Sequence, residues 1–80
     1  MRLDPDQLEN WLLSAGYIKE ASVFEQGRWS RRGGIVDIGT YGTDNPYRIE
    51  FFGDEIDAIS SFDPVSGKTI ATMDHINIYP

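Results

Sequence analysis

Residues 47–55 read Tyr-Arg-Ile-Glu-Phe-Phe-Gly-Asp-Glu, the pattern of a β-strand that runs into a tight turn. Successive side chains of a strand leave opposite faces of the sheet. The face toward the core is therefore predicted to carry Tyr47, Ile49 and Phe51. The other face is predicted to carry Arg48, Glu50 and Phe52. A phenylalanine that points outward beside an arginine is typical of a protein-docking surface, although the spacing also allows Phe52 to be buried under the helix, a loop or another domain.

The residues after this strand predict a β-hairpin. Gly53 and Asp54 form a two-residue turn, in which glycine takes the positive φ of the first position. On one face the turn places Phe52 opposite Glu55. The returning strand is less regular. It is predicted to point Ile56 and Ala58 inward, whereas Ile59 interrupts the alternation and indicates a bulge or a change of register.

The N-terminal segment has the signals of a helix start. Asp4 is placed as the N-cap, Pro5 as the first helical residue, and Gln7 completes a capping box. Gly16 is a suitable left-handed terminator. A buried stripe at helical spacing comprises Leu8, Trp11, Leu12 and Ala15. We assign Trp11 to packing, since a tryptophan on such a stripe is usually part of the core.

The remaining segments indicate further short strands. Residues 21–24 have an extended pattern, and Gln26-Gly27 is predicted to turn into a strand at 28–30, which gives a hairpin. The pair Gly33-Gly34 precedes an apolar strand at 35–38 and indicates a bulge or a close approach of two backbones. A loop at 39–46, a turn at 63–68 and strands at 69–72 and 75–79 complete the series.

These elements predict one α+β domain of 80 residues, with the N-terminal helix packed on a mostly antiparallel, hairpin-linked β-sheet in two layers. The absence of cysteine excludes disulfides and thiolate metal sites and suits a reducing cytosol. No segment approaches the length of apolar sequence that crosses a bilayer. We therefore expect a soluble, cytoplasmic domain.

The basic residues are clustered. The net charge is −6, which disfavours a nucleic-acid binder, but residues 28–48 carry a net charge of +2 against −8 for the remainder. The four basic residues of this window are all arginine: Arg28, Arg31, Arg32 and Arg48. Arginine suits protein interfaces because its planar fork pairs with carboxylates and stacks on aromatic rings. Two alternatives remain open, namely pairing with acids of this chain and contact with DNA phosphates.

Catalytic sites are poorly supported. Ser66-Gly67-Lys68-Thr69 imitates the end of a phosphate-binding loop, but Phe62 stands where the first glycine belongs and no long helix follows. The acids Asp54, Glu55 and Asp57 fit a solvated hairpin as well as a cation site. With one histidine and no cysteine, nucleophilic triads and zinc sites lack their parts. We expect no enzymatic activity, cofactor or metal in this domain.

Four motifs carry a family resemblance. They are Arg-Gly-Gly-Ile-Val-Asp-Ile at 32–38, Pro-Tyr-Arg-Ile-Glu-Phe-Phe-Gly-Asp-Glu-Ile at 46–56, Phe-Asp-Pro at 62–64 and Ile-Asn-Ile-Tyr-Pro at 76–80. Together they resemble the UvrB-type interaction domain over about residues 8–80. That domain occurs in the repair helicase UvrB and in the bacterial transcription-repair coupling factor, and the details here are more similar to the coupling factor.

The resemblance implies a binding module that recruits UvrA, the damage-recognition ATPase of nucleotide excision repair. It implies that Arg32, Arg48 and Phe52 contact UvrA. It also implies a parent DNA translocase whose other domains hold ATP and magnesium and contact RNA polymerase and DNA, in the bacterial cytoplasm, and in which a C-terminal domain masks this surface at rest. The isolated domain is expected to be a monomer.

Two points stay open from sequence. Gly39-Thr40 stands where the family often has Phe-Pro, so the conformation of the 39–46 loop is uncertain. Whether Arg32 lies next to Arg48 and Phe52, and what Arg31 does, is also undecided.

Overall fold

The computed structural model describes residues 4–80, which form one helix and six strands. In chain order these elements are α1 (Pro5–Ser14), β1 (Ile18–Lys19), β2 (Arg28–Arg32), β3 (Ile35–Ile38), β4 (Tyr47–Phe52), β5 (Glu55–Phe62) and β6 (Thr69–Met73). The strands form a single sheet in sequence order, β1 to β6. β1 is parallel to β2, and every other neighbouring pair is antiparallel. The fold is α+β, as predicted, and most of its regular structure is β-strand. Within the described residues, no helix is long and apolar enough to cross a membrane.

The helix begins and ends at the predicted residues. The amide of Gln7 donates to Asp4 Oδ1 at 2.8 Å, and the Gln7 side chain accepts from the Asp4 amide at 3.1 Å. At the other end Gly16 has φ +89°, and the amides of Gly16 and Tyr17 donate to carbonyls of the last turn. This is a Schellman C-cap, which satisfies carbonyls that the helix end would otherwise expose.

Trp11 corrects the sequence prediction. Leu8 and Leu12 are buried, but Trp11 is 39% exposed and lies at the margin of the stripe. Its ring packs against Tyr17 with centroids 6.3 Å apart. The tryptophan of the core is instead Trp29 of β2, which is completely buried.

Two predicted strand assignments are wrong. Residues 21–24 form no strand, and β1 is parallel to β2, so Gln26-Gly27 does not close a hairpin. The misleading alternation arises because Val23 is buried while Phe24 is 63% exposed within an irregular loop. Residues 75–79 also form no strand. Ile76 and Ile78 pack against the core, and the Tyr79 carbonyl accepts from the Tyr17 hydroxyl at 2.5 Å.

Two glycine turns set the register of the central strands. Gly33 has φ +60° and Gly53 has φ +62°, and each opens a two-residue turn between antiparallel strands. The turn at Gly53 pairs Phe52 with Glu55, as predicted. The close backbone approach predicted at the tandem glycines is found at Gly34, whose carbonyl accepts from the Phe51 amide at 2.8 Å.

β5 contains the predicted irregularity. Glu50 pairs with Ala58 whereas Phe51 pairs with Ile56, which leaves Asp57 as an extra residue in β5. The bulge turns Ile59 toward the core, where it is buried. It also places Ala58 on the opposite face from Ile59, so the prediction that Ala58 faces inward is wrong.

The main cluster of buried residues joins α1 to side chains on one face of the sheet, which we call the core face. Its buried members are Leu8, Leu12, Tyr17, Trp29, Val36, Ile38, Ile49 and Ile59. Arg31 also connects the two elements, since its Nη1 lies 2.7 Å from Asp6 Oδ1 and 2.9 Å from Glu9 Oε2 on the helix. These bonds raise the pKa of Arg31 above its ordinary value, first through Asp6 and then through Glu9. The role that the sequence left open for Arg31 is therefore to hold the helix against β2.

The contribution of helix packing can be measured with two neighbouring leucines. Leu12 is completely buried and Leu13 is 54% exposed. Leu12→Ala is expected to lower the free energy of unfolding by about 2–5 kcal/mol, because it leaves a cavity in the core. Leu13→Ala is expected to change it by about 0.5 kcal/mol or less. Urea unfolding followed by circular dichroism measures both, and equal losses would show that α1 does not pack as described.

Gly39 tests the contact between the end of β3 and the loop at 20–27. A β-carbon at residue 39 would collide with the carbonyl oxygen of Glu25. Gly39→Ala is expected to lower the free energy of unfolding by about 1–3 kcal/mol and to shift the amide resonances of residues 23–25. Gly42→Ala is the control, because Gly42 has φ +86° and open space around it. Its strain costs about 1–2 kcal/mol. It should leave the resonances of residues 23–25 in place.

Candidate functional site

The sheet face away from α1, which we call the outer face, carries the predicted site residues. The strand register places side chains on it in rows that cross the sheet. The first row is Ser30, Asp37, Arg48, Ser60 and Thr72. The second row is Arg32, Ile35, Glu50 and Ala58. Phe52 and Glu55 follow at the hairpin end. Arg32, Arg48 and Phe52 therefore occupy the same face of one sheet.

Arg48 is held by three contacts. Its Nε donates to Asp37 Oδ1 at 2.8 Å and its Nη2 donates to Asp37 Oδ2 at 3.0 Å. Its guanidinium carbon lies 4.5 Å from the centre of the Phe62 ring. The paired Asp37 raises the pKa of Arg48 above its ordinary value, so the guanidinium keeps its charge. A bidentate pair stacked on an aromatic ring leaves the arginine little freedom.

Arg32 differs from the other arginines of the window. Arg28 pairs with Glu20 at 2.7 Å and with Glu25 at 3.8 Å, and Arg31 and Arg48 pair with acids as described above. Pairing within the chain thus accounts for three of the four. Arg32 is exposed and forms no ion pair or side-chain hydrogen bond within residues 4–80. It is the arginine of this window whose donors are all left unused by the described residues.

Arg32 and Arg48 line one cleft of about 130 Å³, which we call the central cleft. Its floor contains Ser30, Asp37, Arg48 and Phe62, and its walls come from residues 21–24 and from the turn at Pro64 and Gly67. The turn is fixed by Asp63, whose Oδ1 accepts from the Val65 amide at 2.8 Å. Val23 and Phe62 are buried here, apart from the main core cluster. The loop therefore covers part of the outer face and leaves the cleft open beside it.

Phe52 lies outside the central cleft. Its side chain is 81% exposed, so the outward orientation predicted from the alternation is confirmed, and burial against residues 4–80 is excluded. Four residues along β4 separate it from Arg48, about 13 Å at the rise of an extended strand. The half-buried side chains of Ile35, Glu50 and Ala58 fill the row between them. The structure thus brings Arg32 and Arg48 together and sets Phe52 at the far end of the same surface.

Sequence reasoning missed three residues of this surface. Asp37 interrupts the apolar strand Ile35–Ile38. In the structure it is 7% exposed, and a carboxylate that is buried to this extent needs a charged partner. The antiparallel pairing of β3 with β4 supplies that partner, Arg48. That polar interruption was a readable signal. The sequence carried no comparable signal for Phe62 or Phe24. Phe62 enters the cleft because β5 ends there, and Phe24 enters it from an irregular loop.

The side chains of the outer face are of types that suit contact with another protein. Within the described part of the chain, no group of three or more His, Cys, Asp or Glu side chains could hold a metal ion. The outer face offers arginine donors and, at its hairpin end, an exposed phenylalanine ring. Arginine and aromatic residues are enriched in protein interfaces.

Comparison with known proteins agrees with this description. The family model "UvrB interaction domain" matches residues 1–80. The transcription-repair-coupling factor of Escherichia coli is 40% identical over 79 residues, which are 99% of this chain and 7% of that protein. That of Bacillus subtilis is 42% identical over 78 residues, 98% of this chain and 7% of that protein. The UvrABC system protein B of Acaryochloris marina is 38% identical over 78 residues, 98% of this chain and 12% of that protein.

The chain thus spans about a tenth of the length of the curated relatives that it matches. The matched residues include every strand of the sheet and therefore the whole outer face. The resemblance predicted from the four motifs is confirmed over the full chain. The protein belongs to the UvrB interaction domain family.

Proposed function

We propose that the outer face binds UvrA and recruits it to a transcription-repair coupling factor during transcription-coupled nucleotide excision repair. The observation that carries the proposal is the 81% exposure of Phe52 on a face that also presents Arg32. Burying a phenylalanine on binding removes a large apolar surface from water, and an arginine elsewhere on the same face gives the contact its direction. Membership of the UvrB interaction domain family and the names of the relatives support UvrA as the partner.

The proposal treats the domain as two layers with separate tasks. The helix and the core face stabilise the fold, whereas the outer face docks and carries no catalytic group. ATP hydrolysis, magnesium binding, and contacts with DNA and RNA polymerase would belong to other domains of a cytoplasmic parent translocase. The same docking role would suit the corresponding domain of UvrB, and the slightly higher identity to the coupling factors favours the parent chosen here.

DNA contact is the weaker alternative. Three of the four clustered arginines are already paired with acids of the chain, and the net charge is −6. Phosphate binding depends on unpaired positive charge and weakens steeply with salt. A salt titration with duplex and single-stranded DNA is therefore expected to show no binding by this chain, and a steep salt dependence would revive the alternative.

Phe52→Ala tests the proposed anchor directly. Loss of a central aromatic anchor is expected to weaken UvrA binding about tenfold or more, measured by titration calorimetry. The melting temperature should stay nearly constant, because the side chain is exposed. Leu13→Ala is the matched control, since it removes an exposed apolar side chain from the helix, outside the outer face. If both variants bind UvrA as the wild type does, the proposed surface is wrong.

Arg32→Ala and Arg48→Ala are expected to separate binding from stability. Both should weaken UvrA binding, by about fivefold or more. Only Arg48→Ala should also lower the free energy of unfolding, by about 1–3 kcal/mol, because it leaves the carboxylate of Asp37 without its hydrogen-bond donor. The side chain of Asp37 is 10% exposed. Chemical unfolding of the two variants measures the difference, and an equal loss of stability would contradict the pairing described.

A further inference from the structure

We propose that the central cleft receives one acidic side chain of the partner, which accepts hydrogen bonds from Arg32 and from Nη1 of Arg48, while Phe24 packs against an apolar neighbour of that acid. The inference rests on the proposed function and deepens it, since it names the chemistry of the partner and adds a contact residue. It follows from the donors, the size and the walls of the cleft.

The unused donors of the cleft favour an anion over a neutral ligand. Asp37 occupies Nε and Nη2 of Arg48, so Nη1, at the opposite corner of the guanidinium, keeps both of its N–H groups. Arg32 keeps all of its donors, since it has no partner within residues 4–80. A guanidinium has no acceptor, so the ligand must supply acceptor atoms, and a charged acceptor binds a guanidinium more strongly than a neutral carbonyl does. A carboxylate accepts at two oxygens and fits this pair of donors.

The size of the cleft limits the ligand to one side chain. Small-molecule sites occupy about 300–1,000 Å³, whereas an engineered cavity of about 150 Å³ holds one benzene. The central cleft, at about 130 Å³, is close in size to the cavity that holds one benzene. A glutamate or aspartate side chain fits this volume, and a nucleotide does not.

The charges around the cleft favour a single carboxylate over a nucleic-acid backbone. The lining of the cleft combines Arg32 and Arg48 with one acid, Asp37. Glu50 lies in the same row of the outer face as Arg32, with Ile35 between them. A nucleic-acid strand carries a charged phosphate at every nucleotide, so placing one phosphate in the cleft would bring further negative charge toward Glu50 on a chain whose net charge is already −6. A protein segment can present one acid and surround it with neutral residues.

Phe24 supplies the apolar half of the site. It lines the central cleft and is 63% exposed, on a loop that is anchored through the buried Val23. An exposed aromatic on the rim of a charged cleft excludes water from the ion pair once a partner covers it, which strengthens that pair. Phe24 and Phe52 then stand on either side of the arginines as two anchors.

The held conformation of Arg48 assists the binding. Two hydrogen bonds and the Phe62 ring already fix its guanidinium, so little side-chain entropy is lost when Nη1 engages the partner. Asp37 is thus a positioning residue, and the net attraction comes from Arg32, because Asp37 neutralises Arg48.

Affinity for UvrA, measured by titration calorimetry on this 80-residue chain, provides the first test. Arg32→Glu is expected to weaken binding about tenfold more than Lys68→Glu, which makes the same change of charge at an exposed residue outside the cleft lining. Phe24→Ala is expected to weaken it about fivefold more than Leu13→Ala. If each variant matches its control, the inference is overturned while the proposed function stands.

A second test does not depend on UvrA. Two blocked amino acids, N-acetyl-glutamate N-methylamide and its glutamine counterpart, are titrated into the labelled chain. The side-chain N–H resonances of Arg32 and Arg48 are expected to shift with the glutamate compound alone. Equal shifts with glutamine, or stronger saturation by single-stranded DNA, would overturn the inference. If the wild type fails to bind UvrA, the proposed function fails and this titration still decides the nature of the cleft.

Discussion

The pairing of β3 with β4 determines which side chains are buried and which are available to a partner. Val36 lies opposite Ile49 on the core face, and Asp37 lies opposite Arg48 on the outer face. The turns at Gly33 and Gly53 fix the registers on either side of this pair, that of β2 with β3 and that of β4 with β5, because each turn allows only two residues between its strands. A slip of one residue would move Arg48 into the core and a buried isoleucine into water. The cost of burying that charge excludes the alternative register.

The two faces divide stability from recognition, and the Arg48–Asp37 pair belongs to both. On the core face, apolar packing against α1 and the Arg31 bonds to Asp6 and Glu9 hold the fold together. On the outer face, the Asp37 carboxylate is buried and needs Arg48, while Arg48 keeps one amino group unused. A structural ion pair can thus serve as a rigid part of a binding site. The neighbouring Arg32, without such a pair, contributes charge instead of rigidity.

Sequence reasoning succeeded where local chemistry decides the structure and failed where distant contacts do. The helix caps at Asp4 and Gly16, the hairpin at Gly53 and the exposure of Phe52 depend on a few adjacent residues and were predicted. The 21–24 segment imitates a strand because one of its side chains is buried by tertiary packing, a cause that no local pattern contains. The shared cleft of Arg32 and Arg48 depends on the order of strands in the sheet, which periodicity alone does not give.

The contact between Gly27 and Gly39 has a consequence for exchanging parts between members of the family. The Gly27 amide donates to the Gly39 carbonyl at 2.7 Å, and a β-carbon at either glycine would collide, with Tyr41 at residue 27 and with Glu25 at residue 39. The loop that carries Phe24 therefore lies where it does because residue 39 has no side chain. A bulkier residue 39 would need a different path for residues 20–27. In a chimera that exchanges only the 39–46 loop, the loop at 20–27 would no longer fit against it, and the wall of the central cleft would change. Residues 20–27 and 39–46 should therefore be exchanged together.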